Sequence, residues 1–252
     1  MNLHCIYRIS DSVQKTTDSQ GNNIIKTKPD YITKKGCIKN FINVFGIDNL
    51  YLIADNVSND TFEFLKSFNI DSNHIFRTNF GNGAASFRKA LSISLQQFDN
   101  DDYIYLVEDD YLHLKNSRKV LLEGLEIFDY VTLYDHPDKY ISAGVVKNNI
   151  TGNPLITDNS EETRVYLTEN SHWKLTNSST MTFASRVSVL KQDLKTILEF
   201  VKTDFPYDFN MFCNLINVNK RKLGSCIPGM STHGESIYLT PLVNWNSIGN
   251  SI

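Results

Sequence analysis

An α/β fold built on a mainly parallel sheet is predicted by three observations. Short apolar runs, each of strand length, alternate with amphipathic segments through residues 1–110. That alternation is the signature of a doubly wound sheet with right-handed crossovers. One of the runs, Tyr103–Val107, stops on three consecutive acids, Glu108, Asp109 and Asp110. In open α/β sheets ligands bind just beyond the carboxyl ends of the strands, so these acids fall where a site is expected. Finally, 252 residues with 41% hydrophobic content, including 15 Phe and 12 Tyr, supply one large core.

The elements follow in order. Leu3–Ile9 is a first strand ending in Ser10-Asp11-Ser12, and the polar stretch from Val13 to Asp30, with Gly21-Asn22-Asn23, is expected as a loop. Thr33–Phe45 is a helix, with Ile38, Phe41, Ile42 and Phe45 at i, i+3, i+4 and i+7 and Gly46 as its cap. Asn49–Ala54 is a second strand, followed by Asp55-Asn56-Val57-Ser58-Asn59-Asp60 and a helix over Thr61–Phe68; His74–Thr78 is a third strand. A Gly/Ala-rich turn, residues 79–86, leads into a helix over Phe87–Phe98 and then into Tyr103–Val107. Beyond it the pattern predicts a helix over Asn116–Phe128 and strands at Tyr130–Leu133 and Thr163–Leu167. A hairpin or two antiparallel strands, Trp173–Leu175 and Thr180–Ala184, follow, then helices over Arg186–Val201 and Asp208–Val218, and a loop-rich tail that includes Lys222–Pro228. There are no internal repeats, low-complexity tracts or Pro/Gly linkers, so one domain spanning 1–252 is expected.

Bulk properties narrow the function classes. A net charge of −3 gives no broad nucleic-acid footprint. The cysteines, Cys5, Cys37, Cys213 and Cys226, lack metal-ligand spacing and are expected as free thiols in a reducing compartment. Met1 leads straight into a strand without a signal-peptide pattern, and no run reaches the ~18 apolar residues of a membrane span. A cytoplasmic protein without a transmembrane segment is the expectation. The acidic strand end itself suits a hard cation, Mg²⁺ or Mn²⁺, which takes one or two carboxylates and completes its shell with water and substrate phosphates. The plain alternative is a strand leaving the core through an acidic, solvated turn.

Three pieces in sequence resemble the GT-A glycosyltransferases, the nucleotide-sugar-dependent class. Asp55–Asp60 is similar to the DDGSTD-like loop of family 2 members, keeping the first and last Asp and the Ser but not the Gly. Asn79-Phe80-Gly81-Asn82-Gly83-Ala84-Ala85-Ser86-Phe87-Arg88-Lys89-Ala90 is similar to their N-x-G-x-x-x-A-R-N turn and helix. Glu108-Asp109-Asp110 stands where their DxD motif stands, in a form similar to that of the N-acetylglucosaminyltransferase I family. The resemblance covers roughly residues 1–115 and is strongest over 50–112. It implies a GT-A type α/β fold: a mainly parallel Rossmann-like sheet flanked by helices, with a mixed or antiparallel acceptor-side portion. Residues 1–115 would form the nucleotide-sugar-binding half and 116–252 the acceptor half.

The same resemblance implies roles. The partners would be a nucleotide-diphosphate sugar donor and a glycan or other sugar acceptor, as in polysaccharide biosynthesis, with Mn²⁺ or Mg²⁺ on the donor diphosphate. Asp110 would ligate the metal, joined by His233 from the Gly-flanked segment Pro228–Glu235. Glu108 and Asp109 would meet ribose hydroxyls or metal-bound water, and Asp55 the base. Arg88 would donate to phosphate or partner the acids of the motif, and Arg8, just inside the first strand end, would line the base or diphosphate pocket. Asp208, behind the Phe205-Pro206-Tyr207 turn, would be the general base of an inverting displacement, with Asp204 as runner-up. Trp173 and His172 would offer an aromatic acceptor platform, and His113 is a minor rival to His233. Against each stands an ordinary role: cap or turn acid for Asp55 and Asp208, helix-surface charge for Arg88, loop histidine for His233, core packing for Trp173. Two other functions compete. A sugar-phosphate nucleotidyltransferase usually carries a G-x-x-x-R-x-x-x-x-x-K loop after its first strand, and here that strand is followed by Ser10-Asp11-Ser12. A non-catalytic carbohydrate-binding protein on a degenerate scaffold would have little reason to keep the acids.

Overall fold

The computed structural model describes residues 1–12, 15–17, 23–25 and 27–252. Its strands are β1 (Leu3–Ile9), β2 (Lys15–Thr17), β3 (Asn23–Ile25), β4 (Leu50–Asp55), β5 (Ile75–Thr78), β6 (Tyr103–Glu108), β7 (Tyr111–His113), β8 (Tyr130–Thr132), β9 (Val146–Lys147), β10 (Ile150–Thr151), β11 (Val165–Leu167), β12 (His172–Leu175), β13 (Phe183–Arg186), β14 (Leu223–Ile227) and β15 (Ser231–His233). The α-helices are α1 (Lys34–Phe45), α2 (Asn59–Lys66), α3 (Gly83–Gln97), α4 (Ser117–Leu125), α5 (Val187–Glu199), α6 (Asp208–Asn217) and α7 (Trp245–Gly249).

Nine strands form one sheet in the order β11-β12-β14-β8-β13-β6-β1-β4-β5. Parallel ladders join β6, β1, β4 and β5, and β14 lies parallel to β8. Only β13 and β12 run against the rest, β13 between β6 and β8 and β12 between β14 and β11. The expected mixed α/β fold with a mainly parallel sheet is therefore present, and its antiparallel strands fall in the second half of the chain. Because β1, β4 and β6 share a direction, their last residues, Ile9, Asp55 and Glu108, end at one edge of the sheet.

Side chains alternate across the sheet. Leu3, Cys5, Tyr7 and Ile9 of β1 join Ile38 and Phe41 of α1, Leu65 of α2 and Val120 of α4 in one apolar layer. Ile6 points the other way, to Phe87 and Leu91 of α3, Leu190 of α5 and Phe212 of α6. This is a three-layer arrangement with a core on each face. Local signals agree with it: Thr33 caps α1 by accepting from Gly36 N–H at 3.0 Å, and Gly46 ends it at φ 82°. Among the described residues no helix is long and apolar enough to cross a membrane. The four cysteines are free, with Cys5, Cys37 and Cys226 buried.

Four expectations are corrected. The polar stretch after β1 contains a two-stranded ladder, β2 with β3; Gly21 and Asn22 of the expected loop lie outside the described residues. Of the two arrangements expected for Trp173–Leu175 and Thr180–Ala184, the hairpin does not form, because β14 and β8 stand between β12 and β13; each instead pairs antiparallel with other strands. The strand expected at Thr180 begins at Phe183, since Thr180 and Met181 adopt positive φ values of 50° and 55°. The tail also contributes a sheet strand: β14 has little apolar signal because Gly224 sits under the Phe128 ring, where a Cβ would come within 2.3 Å of that ring.

Candidate active site

The shared strand edge opens into a cleft of about 700 Å³. Arg8, Asp55, Glu108, Asp109, Asp204, Asp208 and His233, all singled out in the sequence, line it. Asp110 lies directly behind His233, and Arg88 lies to one side.

Arg8 and Glu108 are side-by-side partners on parallel β1 and β6. The buried guanidinium donates to Glu108 Oε1 at 3.1 Å, to the Met181 carbonyl at 3.1 Å and to the Gly83 carbonyl at 3.3 Å, and lies over the Phe87 ring. Burial raises the Glu108 carboxyl above its usual range, against the pull of Arg8. Asp109 Oδ2 accepts from Ser10 N–H at 2.8 Å and pairs with Lys34 Nζ at 3.2 Å. Burial raises this carboxyl too, opposed by Lys34. Lys34, the first residue of α1, also holds the Ser10 and Ser12 carbonyls that close β1.

Asp110 and His233 are brought together by the short β7–β15 ladder, in which His233 stands opposite Tyr111. Asp110 Oδ2 lies 3.2 Å from His233 Nε2 and 2.9 Å from Lys28 Nζ. Burial alone would raise the Asp110 carboxyl; His233 and Lys28 outweigh it and hold it well below the usual range. Two ligands on adjacent positions of a Mg²⁺ or Mn²⁺ ion, each at about 2.1 Å, would sit about 3 Å apart, so this pair has the right spacing. Among the described residues Asp110 Oδ1, which is buried, has no hydrogen-bond partner, an oxygen still able to accept a cation. Among the described residues no third His, Cys, Asp or Glu completes a metal cluster. The donor set therefore fits an ion that takes most of its ligands from water and substrate phosphate, and does not fit a closed structural site.

The remaining residues have structural work. Asp55 accepts from Thr78 Oγ1 at 2.9 Å, Phe80 N–H at 2.6 Å and Gly81 N–H at 3.0 Å, fixing the glycine turn whose Gly81 has φ +72°. Arg88, expected at the donor phosphates, instead reaches the Val201 and Thr203 carbonyls and braces the 201–203 segment. Asp208 lines the cleft, but its oxygens accept from Ser179 N–H (2.8 Å), Ser179 Oγ (2.8 Å), Thr180 N–H (3.0 Å) and Met181 N–H (3.0 Å). These four hydrogen bonds make Asp208, the expected general base, a clamp on the positive-φ turn. Trp173 is buried against Gly124 and Phe128 and offers no platform. His113 is buried as well, with Nε2 2.8 Å from Tyr105 OH.

The sequence reading missed three groups. Lys34 and Lys28 supply the cations that pair with Asp109 and Asp110; Lys34 was legible as the residue after a helix cap, facing a strand end. His136 and Asp138, flanking Pro137, line the far wall of the cleft with Asn153. Phe205 and Tyr207 form an exposed aromatic pair at its rim, with ring centroids 5.6 Å apart.

No family model and no curated protein matches the sequence. Several solved structures are similar at low depth. The bifunctional IspDF from Campylobacter jejuni aligns with a TM-score of 0.43 and 13% identity, over 99% of this chain and 54% of that one. S. aureus TarS 1-349 aligns at 0.45 and 14%, over 89% and 58%. The 4-diphosphocytidyl-2C-methyl-D-erythritolsynthase from Anaerococcus prevotii DSM 20548 aligns at 0.49 and 11%, over 99% and 95%. The chain thus spans little more than half the length of the first two, and these likenesses assign it neither reaction nor ligand.

Proposed function

We propose that the protein is a glycosyltransferase that moves a sugar from a nucleoside diphosphate to a glycan or other sugar acceptor, assisted by Mn²⁺ or Mg²⁺. One observation carries the reading: Arg8, Lys34, Glu108–Asp110 and His233, drawn from four separate segments, converge at the carboxyl edge of parallel strands on one cleft. Its ~700 Å³ lies within the ~300–1,000 Å³ range of small-molecule sites.

Charge pairing supports the cation requirement. Arg8 pairs with Glu108, Lys34 with Asp109 and Lys28 with Asp110. A diphosphate entering this set meets no surplus positive charge from those pairs. A divalent ion held by Asp110 and His233 would supply it and neutralise the departing diphosphate. Glu108 and Asp109 stand at the edge where ribose hydroxyls would lie, and Asp55 holds the glycine turn beside them.

A thermal-shift panel of nucleoside diphosphates and diphosphate sugars, with and without Mn²⁺, tests the reading on wild type and Asp110→Asn. A ligand at a hundredfold excess over its Kd stabilises by about 2.7 kcal/mol. The expected result is a Mn²⁺-dependent shift with one nucleotide, lost in Asp110→Asn. No shift with any nucleotide, with or without Mn²⁺, would retire the proposal. Product analysis separates it from nucleotidyl transfer: a glycosyltransferase releases a nucleoside diphosphate, a nucleotidyltransferase pyrophosphate.

A further inference from the structure

We propose that Phe205 and Tyr207 form the acceptor platform of the transfer. The flat face of an acceptor pyranose stacks on this aromatic corner at the rim of the cleft, and further sugar residues of an oligosaccharide run outward from it. The inference rests on the glycosyl-transfer reading above and deepens it by assigning the acceptor a place.

Surface chemistry carries the assignment. Phe205 is 65% exposed and Tyr207 48%, and both line the cleft. Aromatic side chains of this size ordinarily turn inward, and apolar surface grouped at a cleft marks a binding site. The ring centroids are 5.6 Å apart at an interplanar angle of 74°, so the pair makes an edge-to-face corner and not a closed stack. The C–H groups on the flat face of a pyranose carry slight positive charge and meet the negative face of a π system. The hydroxyls at the edge of the sugar need polar partners, and these stand beside the rings. Asp204, Asn210 and Ser178 line the same cleft, and among the described residues no hydrogen bond engages their side chains. A lipid tail or an apolar peptide would bury such groups unpaired, at a cost. A polyhydroxylated ring satisfies both kinds of surface.

The corner is also held in place. Residues 203–207 lie between α5 and α6. The Asp204 carbonyl accepts from Ala84 N–H at 3.3 Å, at the start of α3, and the Phe205 carbonyl accepts from Thr203 Oγ1 at 2.9 Å. Tyr207 N–H donates to the Phe200 carbonyl at 3.0 Å, and its own carbonyl accepts from Met211 N–H at 3.0 Å. Pro206, between the two rings in sequence, is buried, and a Cβ on Gly83 would meet its Cδ at 3.8 Å. Rings presented on a braced loop lose little freedom when a ligand arrives, which favours binding.

The frame reaches the acidic strand end. Asp208 follows Tyr207 and clamps Ser179–Met181; the Met181 carbonyl accepts from Arg8, and Arg8 pairs with Glu108 at 3.1 Å. A sugar seated on the corner is therefore held in register with the edge where the donor would lie. Trp173, expected as the platform, is buried away from the cleft, whereas Phe205 and Tyr207 line it and are open to solvent.

The experiment uses cellobiose, maltose, lactose and N,N′-diacetylchitobiose as probes on wild type, Phe205→Ala, Tyr207→Ala and Phe205→Trp. Saturation-transfer difference NMR measures their binding in Mg²⁺ with UDP, GDP or CDP present in turn, and the Mn²⁺–nucleotide thermal shift is read on each protein. Both positions are exposed, so the alanine variants keep the core and the fold. The expected result is that at least one disaccharide binds wild type. Its Kd rises about tenfold in each alanine variant and is restored in Phe205→Trp, while the nucleotide shift persists in all four proteins. An unchanged Kd in either alanine variant, or no disaccharide bound by wild type, would overturn the platform and leave the transferase standing on its nucleotide shift. Loss of the nucleotide shift in an alanine variant would also overturn it, because the pair then stacks on the base. If wild type shows no nucleotide shift and releases no nucleoside diphosphate from any donor, the transferase reading falls and the acceptor assignment with it.

Discussion

Asp208→Asn separates two physical roles for one residue. A catalytic carboxylate tolerates the isosteric amide with its fold intact and its rate lost. A clamp does not, because Asp208 accepts two hydrogen bonds on each oxygen, Ser179 Oγ and Met181 N–H on Oδ1, Ser179 N–H and Thr180 N–H on Oδ2. An amide has one acceptor oxygen, and its NH₂ must face one of these pairs. Turned toward Oδ1, it orphans Met181 N–H; turned toward Oδ2, it orphans two backbone donors. An orphaned, part-buried N–H costs about 1–3 kcal/mol, and the surviving bonds lose their charge assistance, so a total near 3 kcal/mol is expected. The turn has a reason to relax once released, since Thr180 and Met181 are held at φ 50° and 55°, a region costing non-glycine residues about 1–2 kcal/mol each.

At roughly 2–4 °C per kcal/mol for a chain of this size, Tm should fall by about 6–12 °C. Urea unfolding followed by far-UV circular dichroism should show a lower midpoint at unchanged slope. The loss should reach the site as well, because the Met181 carbonyl accepts from Arg8 and a displaced turn loosens the Arg8–Glu108 pair. A variant with wild-type midpoint and slope would refute the clamp.

Two further perturbations test the buried polar groups. Burial lowers the His113 imidazole to about 3, so between that value and its unfolded value near 6.5 the unfolded chain holds the extra proton; stability therefore falls toward acid by about 1.4 kcal/mol per pH unit below about pH 6.5. Urea midpoints from pH 7 to 5 should show this slope in wild type and a shallower one in His113→Gln, and equal slopes would refute it. Lys174, buried on β12, pairs with Asp135 at 3.0 Å and Glu161 at 3.1 Å. Lys174→Met leaves two buried acids without their cation and should cost about 3–5 kcal/mol, with much of it regained in Lys174→Met/Asp135→Asn/Glu161→Gln; a single variant as stable as wild type would refute it.

The half of the fold that was legible is the half whose strands are buried on both faces. All seven residues of Leu3–Ile9 and all six of Leu50–Asp55 are buried, so each reads as a continuous apolar run bounded by polar turns. β14 escapes that logic because its partner supplies the bulk: Phe128 fills the volume over Gly224, and the strand itself shows only Leu-Gly-Ser-Cys-Ile. β12 and β13 were recognisable as extended, but not as strangers to each other. What separates them is a turn with two positive-φ residues pinned by a carboxylate 27–29 positions later, and no local pattern records such a distant partner.

The site divides along the same line. Asp109 and Asp110 could be found because they end a strand, and His233 because glycines flank its loop; in the fold, the β7–β15 ladder brings the last two within 3.2 Å of each other. Carboxylates elsewhere do not announce their role, since an acid that braces a loop and an acid that takes a proton look the same in sequence. Only the donors around the oxygens show the bracing role, and Asp208 has four of them. The turn that carries His136 and Asp138 is in turn tied to the sheet, because Asp135 accepts from Tyr140 OH at 2.6 Å and pairs with Lys174 in the middle of β12. A buried ion network of this kind contributes little net stability, since desolvation offsets most of its attraction. Its effect is to fix one turn of the cleft wall against a rigid sheet.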